Sequence, residues 1–485
     1  MLLDADAWQG RIRLGTWAGG AGGTRTVVAP ATGAALGEIG LAGPADVATA
    51  VRTGRAAQRD WARTPYTERA AVLRRAGALW EEHAAEIHDW LIREAGSVPG
   101  KAAFETSTAA QECYEAAALP GHPYGELLRS AEPRLSFARR LPVGAVGVIA
   151  PFNVPIVLAI RAVAPALALG NAVVLKPDPR TAVSGGVAIA RVFEEAGLPD
   201  GLLTVLPGGA DVGAALVTDP GVPVIAFTGS TAAGRAVAEL GGRHLKRVHL
   251  ELGGNSALVV CADADAERAA AVGAWGSFFH QGQVCMATSR HLVHESIAEP
   301  YVRALAATAD GLAAGDPAAG PVAVGPLIDA GQRDRVHAIV TGTVDAGAEL
   351  RAGGTYDGLV YRPTVLAGVP RSAPAHDQEI FGPVAPVLTF ADLDEAADLA
   401  AATEYGLSLG ILTHDVMAAL ELGERIPTGL LHINDQTIND EATIPFGGVG
   451  ASGTGARQGG AQANIEAFTD TQWVTVRDAP PAYPV

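Results

Sequence analysis

The chain is poor in cysteine, in aromatic residues and in basic charge. Its three cysteines, Cys113, Cys261 and Cys285, show no paired spacing. That argues against a disulfide framework or a cysteine-rich zinc site and fits a reducing cytoplasm. The 12 histidines show no ligand spacing and no calcium signature is present, so no metal is expected. Lysine and arginine total 35 against 52 acidic residues, a formal net charge of −17. Only short basic runs occur, Arg139-Arg140 and Arg243 to Arg247, and they read as solvated faces. No nucleic-acid partner is expected. The apolar run from Val143 to Leu175 is broken by Pro151, Asn153, Arg161 and Asn171, so it reads as buried strands and a helix, not a membrane span. The opening Met-Leu-Leu-Asp-Ala-Asp has no basic or long apolar stretch and does not read as a signal peptide. No internal repeat is visible.

What is present is apolar mass and glycine. Apolar residues make up 48% of 485 residues, with 59 glycines and 5% aromatics. The length exceeds one ordinary core, so two or three domains are expected. Abundant small residues suit close helix–sheet contacts, hence an α/β protein. Upstream, Asp46 to Trp61, Thr67 to Ile92 and Lys101 to Ala118 carry helical periodicity, with Asp46 and Thr67 as N-caps and ordinary surface charge. Leu135 to Leu141 reads as an edge strand, paired with another subunit or covered by its own chain. Short apolar runs at Val143 to Ile149, Asn171 to Lys176, Leu203 to Leu206 and Val224 to Thr228 alternate with helices, which predicts a doubly wound parallel sheet. After Glu251 the pattern restarts, with strands at Ala257 to Val260, Arg290 to His294, Val360 to Leu366, Val384 to Phe390 and Leu407 to Leu412. Asn153, Lys176 and Ser230 fall at the carboxyl ends of strands, where such sheets bind ligands.

Several residues carry chemistry, each with a plainer reading beside it. Cys285 is either a small hydrophobe or a nucleophile; Gly282 allows a tight turn that would expose the thiol and lower its pKa. Cys261 and Cys113 keep the plain reading. Glu251, before Gly253-Gly254, is a turn residue or a partly buried general base. Asn153, between Pro151 and Pro155, is a turn residue or a rigid oxyanion donor. Lys176 is a solvated strand-end lysine or a phosphate or ribose contact. Gly229 to Gly234 is a helix-opening loop that would face an anion, with Thr231 where a dinucleotide fingerprint has a second glycine.

Taken together, Pro151-Phe152-Asn153, Leu175-Lys176-Pro177, Phe227-Thr228-Gly229-Ser230, Glu251-Leu252-Gly253-Gly254, Gly282-Gln283-Val284-Cys285, Glu379-Ile380-Phe381-Gly382-Pro383 and Pro445-Phe446-Gly447-Gly448 resemble the NAD(P)-dependent aldehyde dehydrogenase superfamily. They occur in its order from about residue 25 to 470. The resemblance implies two doubly wound parallel-sheet domains, a Rossmann-like cofactor domain and a catalytic domain, with a small β oligomerisation extension. The boundaries it suggests are 1–123 with 143–250 for the cofactor domain, 251–431 for the catalytic domain, and 124–142 with 460–485 for the oligomerisation segments. Residues 432–459 would return to the cofactor domain and form a substrate-pocket loop. It implies Cys285 as nucleophile, Glu251 as general base and Asn153 as oxyanion donor. Lys176 and Glu379 would hold the two riboses, Phe381 would pack near the nicotinamide, and Gly229, Ser230, Leu252 and Gly253 would complete the cofactor site. A homodimer or homotetramer is implied as well.

One departure concerns the cofactor. Many NAD-using members carry a glutamate three places after the lysine, where this chain has Pro179, between Asp178 and Arg180. Without that carboxylate a 2′-phosphate is not repelled, and Arg180 is able to pair with it. The cofactor is therefore NAD or NADP, with NAD favoured. The wording Lys-Pro-Asp-Pro-Arg-Thr and Gly-Gln-Val-Cys-Met-Ala-Thr looks most like the benzaldehyde dehydrogenase branch. The implied substrate is a small aromatic aldehyde, oxidised through a thiohemiacetal and a thioester to the acid. Phe152, Val284, Met286 and Phe446 are the candidate pocket residues, with Leu158, Phe279 and Ile438 nearby. An aliphatic aldehyde or a semialdehyde is the alternative substrate. Glu251 argues against a CoA-acylating enzyme, and the full set of Cys285, Glu251 and Asn153 argues against a non-catalytic scaffold.

Overall fold

The computed structural model describes residues 1–483. Its first large sheet has seven strands in the order Arg247–Glu251, Val224–Thr228, Ala145–Ile149, Ala172–Lys176, Leu203–Val205, Ile12–Arg13 and Trp17–Ala18. The first five are parallel, and the last two form an antiparallel edge. The central strands are apolar on both faces because helices cover both. Val146, Val148, Val173 and Leu175 pack with Ile160, Val163 and Leu167 of the helix Val157–Ala168. The alternate residues Ile149, Val174 and Ile225 pack with Val47 and Val51 of Pro44–Trp61 and with Val212 and Leu216 of Ala210–Thr218. A strand buried on both sides loses the polar alternation of a surface strand and reads as a continuous apolar run.

The chain leaves this sheet at Glu251 and enters a second one at Ser256. That sheet runs Glu349–Ala352, Thr364–Ala367, Val384–Phe390, Thr288–His294, Ser256–Val260, Ser408–Leu412 and Leu430–Ile433. All neighbours are parallel except the first pair. The same two-faced burial holds: Leu258 and Val260 face one core, Ala257 and Val259 the other.

A third, antiparallel sheet orders Thr469–Val476, Leu135–Pro142 and Gly125–Leu127. The segment 135–142 is thus the central strand, not an edge. It pairs with 469–476 on one side and 125–127 on the other. The end of the expected 460–485 segment, 484–485, lies outside the described residues. Among the described residues no helix is long and apolar enough to cross a membrane.

Several local expectations change. Asp46 is not the N-cap; it sits inside the first turn, where its carboxylate accepts from the Gly43 and Ala21 amides at 2.9 and 2.7 Å. Pro44 takes the first helical position, where its missing N–H costs nothing. Thr67 lies inside Tyr66–Glu82, capped by Pro65, and the long helix expected to Ile92 breaks at His83 before Ala84–Ala95. Pro363 splits the strand expected over 360–366 into Val360–Tyr361 and Thr364–Ala367, because it has no N–H for the ladder.

Candidate active site

Cys285 sits just before Thr288–His294, at the amino end of that strand, after the turn Phe279–Gly282. The turn is tight. Gly282 has φ +66°, and a Cβ there would lie 2.1 Å from the Gly382 carbonyl oxygen. His280 and Gln281 also adopt left-handed backbone, with φ 49° and 56°. Gln281 holds the strained turn by donating to the Gly96 and Pro326 carbonyls at 3.1 and 2.9 Å.

Glu251 and Asn153 come from the first sheet. Glu251 ends its strand, and Asn153 follows the end of Ala145–Ile149. The carboxyl ends of the first sheet therefore face the amino end of one strand of the second. Asn153 donates from Nδ2 to the Gln283 carbonyl at 2.8 Å, which leaves its second N–H for another acceptor. Its own carbonyl accepts from Lys101 Nζ at 2.8 Å. Lys101 is fully buried and paired with Glu105, whose Oε2 accepts from the Ile156 amide at 3.0 Å. The helix Pro99–Ala118, read as ordinary surface helix, thus holds the Asn153 loop. The prolines flanking Asn153 are only part of its rigidity.

Cys285 and Leu158 line two adjoining spaces. One is a pocket of about 410 Å³ bounded by Phe104, Trp275, Phe279, Met286, Ile438 and Phe446, with Val284 and Asp440 on its wall. The other is a cleft of about 140 Å³ between Asn153, Ser230, Leu252, Gly253, Glu379 and Phe381. Val284, Met286 and Phe446 line the first pocket. Phe152 does not: it lines the second cleft, edge-on to Phe381 at 6.0 Å and beneath the Arg180 guanidinium at 4.2 Å. The cation and the facing ring hold it on that side.

The second cleft carries groups that suit part of a dinucleotide. Gly229 and Ser230 open the helix Thr231–Arg243, and Ser230 caps it through the Ala233 amide at 3.3 Å. The free amides of such a helix start attract a pyrophosphate. Leu252 packs over Gly234, and a Cβ on Gly253 would lie 2.2 Å from Glu379 Oε2, so the backbone and that carboxyl group are in close approach. Glu379 also accepts from the Gly254 amide at 3.2 Å, and burial pushes its pKa up to about 7. Gln332 and Arg335, on the helix Ala330–Asp345, donate to the Phe381 and Glu379 carbonyls at 2.8 and 2.7 Å. Neither carries a sequence signal, since they act on a turn far along the chain. Lys176, Pro179 and Arg180 do not line this part of the cleft, though the Arg180 guanidinium borders it 4.2 Å over the Phe152 ring. Burial lowers the Lys176 pKa, against the pull of the Asp178 and Asp211 carboxylates. Arg180 is committed to Asp178 at 2.8 Å and Asp329 at 2.6 Å.

The electrostatics correct one expectation. The Cys285 thiol is not acidified; burial pushes it up to about 12, helped by the carboxyl groups of Glu379, Glu251 and Asp440. Glu251 is also raised well above the usual carboxylate range, by burial first, with Arg161 and Arg457 opposing and Asp440 adding to it. Its Oε2 is buried without a hydrogen-bond partner. Arg161, first visible only as a break in an apolar run, is a buried hub. It donates to Glu112 at 2.9 Å and to Asp440 at 2.5 Å, and lies 5.1 Å over the Phe446 ring.

A doubly wound sheet whose strand ends carry a helix-start anion site beside a buried carboxyl group, in a cleft that adjoins an apolar pocket at one cysteine, points to the class: a nicotinamide-dependent oxidoreductase of the α/β type. The comparisons narrow it. Residues 17–474 match the aldehyde dehydrogenase family. The chain is 66% identical over 483 residues to a vanillin dehydrogenase of an Amycolatopsis species, covering 100% of this chain and 99% of that protein. It is 48% identical to a benzaldehyde dehydrogenase [NAD(+)] of Pseudomonas putida, covering 98% of each. A salicylaldehyde dehydrogenase of Pseudomonas putida G7, solved with salicylaldehyde, superposes with TM-score 0.94 at 32% identity, over 98% of this chain and 99% of that one. The chain belongs to the aldehyde dehydrogenase family.

Proposed function

We propose that this enzyme oxidises an aromatic aldehyde to the carboxylic acid with NAD or NADP, through a thioester on Cys285. The observation that carries the reading is the position of Cys285 at the junction of the aromatic-walled pocket and the dinucleotide cleft. A flat ring fits between Phe104, Phe279 and Phe446, which presents the formyl carbon to the sulfur. The relatives named for vanillin, benzaldehyde and salicylaldehyde support this substrate class.

The residues divide the work. The thiol gives up its proton to solvent water, and Sγ adds to the carbonyl carbon as the carbonyl oxygen takes up the negative charge. The free Asn153 N–H and the Cys285 amide stabilise the oxyanion. The Ser230 helix start and Glu379 would hold NAD(P)⁺ in the second cleft, where it would supply the hydride acceptor for the oxidation of the adduct. Glu251 then takes a proton from water, which hydrolyses the thioester and frees the acid. Among nicotinamide cofactors NAD is favoured. Arg180 is already paired twice, and the Asp178 carboxylate it holds ionised would repel a 2′-phosphate.

The three-stranded sheet supports a homo-oligomer. Leu127, Leu135 and Val476, which the strand register places on one face, are 79, 50 and 48% exposed, an apolar patch of the kind that a second copy covers, while Trp473 is 61% exposed on the other face. Light scattering that gives a single-chain mass would remove this assembly. The three free thiols, Cys113, Cys261 and Cys285, fit a reducing cytoplasm. The test of function compares kcat/KM for benzaldehyde and vanillin with that for short aliphatic aldehydes. A preference of tenfold or more for the aromatic ring, about one large contact's worth, is expected. An aliphatic preference would overturn the substrate assignment.

A further inference from the structure

We propose that Arg457 is a positioning residue for Glu251, holding it ready to take a proton across a gap that only a glycine at 447 leaves open. The inference rests on the reading of Glu251 as the hydrolytic base. A Cβ built on Gly447 would lie 2.9 Å from Glu251 Oε1 and 2.9 Å from Arg457 Nη1. The two atoms therefore flank one small space and are no more than twice that distance apart. Any side chain at 447 would fill it.

The arrangement is anchored on both sides. Arg457 Nη1 donates to the Gly448 and Ala456 carbonyls at 3.1 and 3.3 Å, which fixes the guanidinium. Phe446 and Gln458 exchange backbone hydrogen bonds at 2.8 and 3.0 Å, so Gly447 and Arg457 ride on one closed loop. That loop docks on the end of the Glu251 strand: Glu251 bridges Gly453, and the Leu252 amide donates to Ser452 at 2.9 Å.

The charged and titratable groups facing Glu251 come from four places. Arg161 lies on the helix Val157–Ala168, Asp440 on the loop after Leu430–Ile433, Arg457 on the closed loop, and Cys285 across the junction. Arg161 is already matched by two carboxylates, Glu112 and Asp440. Arg457 makes no ion pair among the described residues, so it is the uncompensated cation beside Glu251. A buried carboxylate needs such a charge to exist at neutral pH. The step it serves is hydrolysis. The water oxygen bonds to the thioester carbonyl carbon, the water proton passes to Glu251, and the carbon–sulfur bond breaks to return the Cys285 thiolate.

The test separates acylation from hydrolysis. The holoenzyme is mixed with benzaldehyde and NAD⁺. Formation of reduced nicotinamide reports acylation, and loss of the benzoyl adduct by intact-protein mass reports hydrolysis, across the neutral pH range. Arg457→Gln is expected to move the acidic limb of the hydrolysis rate up by about one pH unit, with about tenfold slower hydrolysis at neutral pH. Acylation should stay within about twofold, and Arg457→Lys should restore most of the limb. Arg457→Met is the second variant should the glutamine form not fold. An unmoved limb, or acylation slowed as much as hydrolysis, overturns the proposal. Normal adduct loss in Glu251→Gln overturns the base reading beneath it, independently of Arg457.

Discussion

The two seven-stranded sheets share an architecture and use it in opposite directions. The first offers the carboxyl ends of its strands, where Asn153, Ser230 and Glu251 gather. The second offers Cys285 from the amino end of Thr288–His294. Its own carboxyl ends, with Cys261, His294, Phe390 and Thr413, border a cavity of about 370 Å³. In that cavity the acidic groups are spent on the fold: Asp392 and Asp415 cap helices, and Asp263 binds Thr413 and the His414 amide. Two cysteines beside two cavities, on one fold type, stand in different surroundings. Neither thiol is acidic at rest, with Cys261 at about 11 and Cys285 at about 12. What separates them is the company each keeps: the Asn153 amide, the Glu251 and Glu379 carboxyl groups and the second cleft adjoin Cys285 and not Cys261.

Cys285→Ala should reduce benzaldehyde turnover by at least ~10⁴-fold, the scale of losing a nucleophile. Cys261→Ala should leave it within about twofold. Equal losses in a reduced-nicotinamide assay would erase the distinction. Asn153→Ala should lower kcat by about 10²–10³, with KM little changed, because the donor acts on the oxyanion and not on the ground state. A pure KM effect would make Asn153 a binding residue.

A smaller effect sharpens the cofactor side. Asp178→Ser removes the partner of Arg180 and the charge beside Lys176. The ratio of kcat/KM with NADP to that with NAD should rise about tenfold, the worth of one charge-assisted hydrogen bond. An unchanged ratio would place the discrimination elsewhere. The smallest effect is on stability. Glu379 has a folded pKa raised to about 7, so its contribution is full below the ordinary carboxylate range and lost as pH rises through 7. In the cofactor-free protein Glu379→Gln should therefore gain in urea midpoint relative to wild type between pH 5 and pH 8. A gain that shrinks with rising pH would reverse the sign.

Much of this was legible in the sequence where residues speak locally. Strands apolar on both faces stood out as short runs, and the site motifs sit at strand ends where the backbone turns. The strand Arg247–Glu251 did not stand out, because Arg247 and His249 interrupt its apolar character. Helix Ala210–Thr218 and strand Leu430–Ile433 carry weak patterns and take their form from the sheets they pack on. Lys101, Glu105 and Glu112 read as surface charge because their partners, Asn153 and Arg161, are distant in the chain. Phe152 was misplaced for the same reason: its direction is set by Arg180 and Phe381, and no local pattern encodes that choice. The raised Cys285 thiol is likewise a property of burial and three carboxyl groups from separate segments.

The central claim is that both cavities work on one sulfur. Glu251→Gln, which should acylate but not hydrolyse, tests it most directly. After mixing with benzaldehyde and NAD⁺, intact mass followed by peptide mapping should find one benzoyl group per chain, on Cys285, with one equivalent of reduced nicotinamide formed. An adduct on another residue, or reduced nicotinamide released with no adduct and continued turnover, would contradict the account.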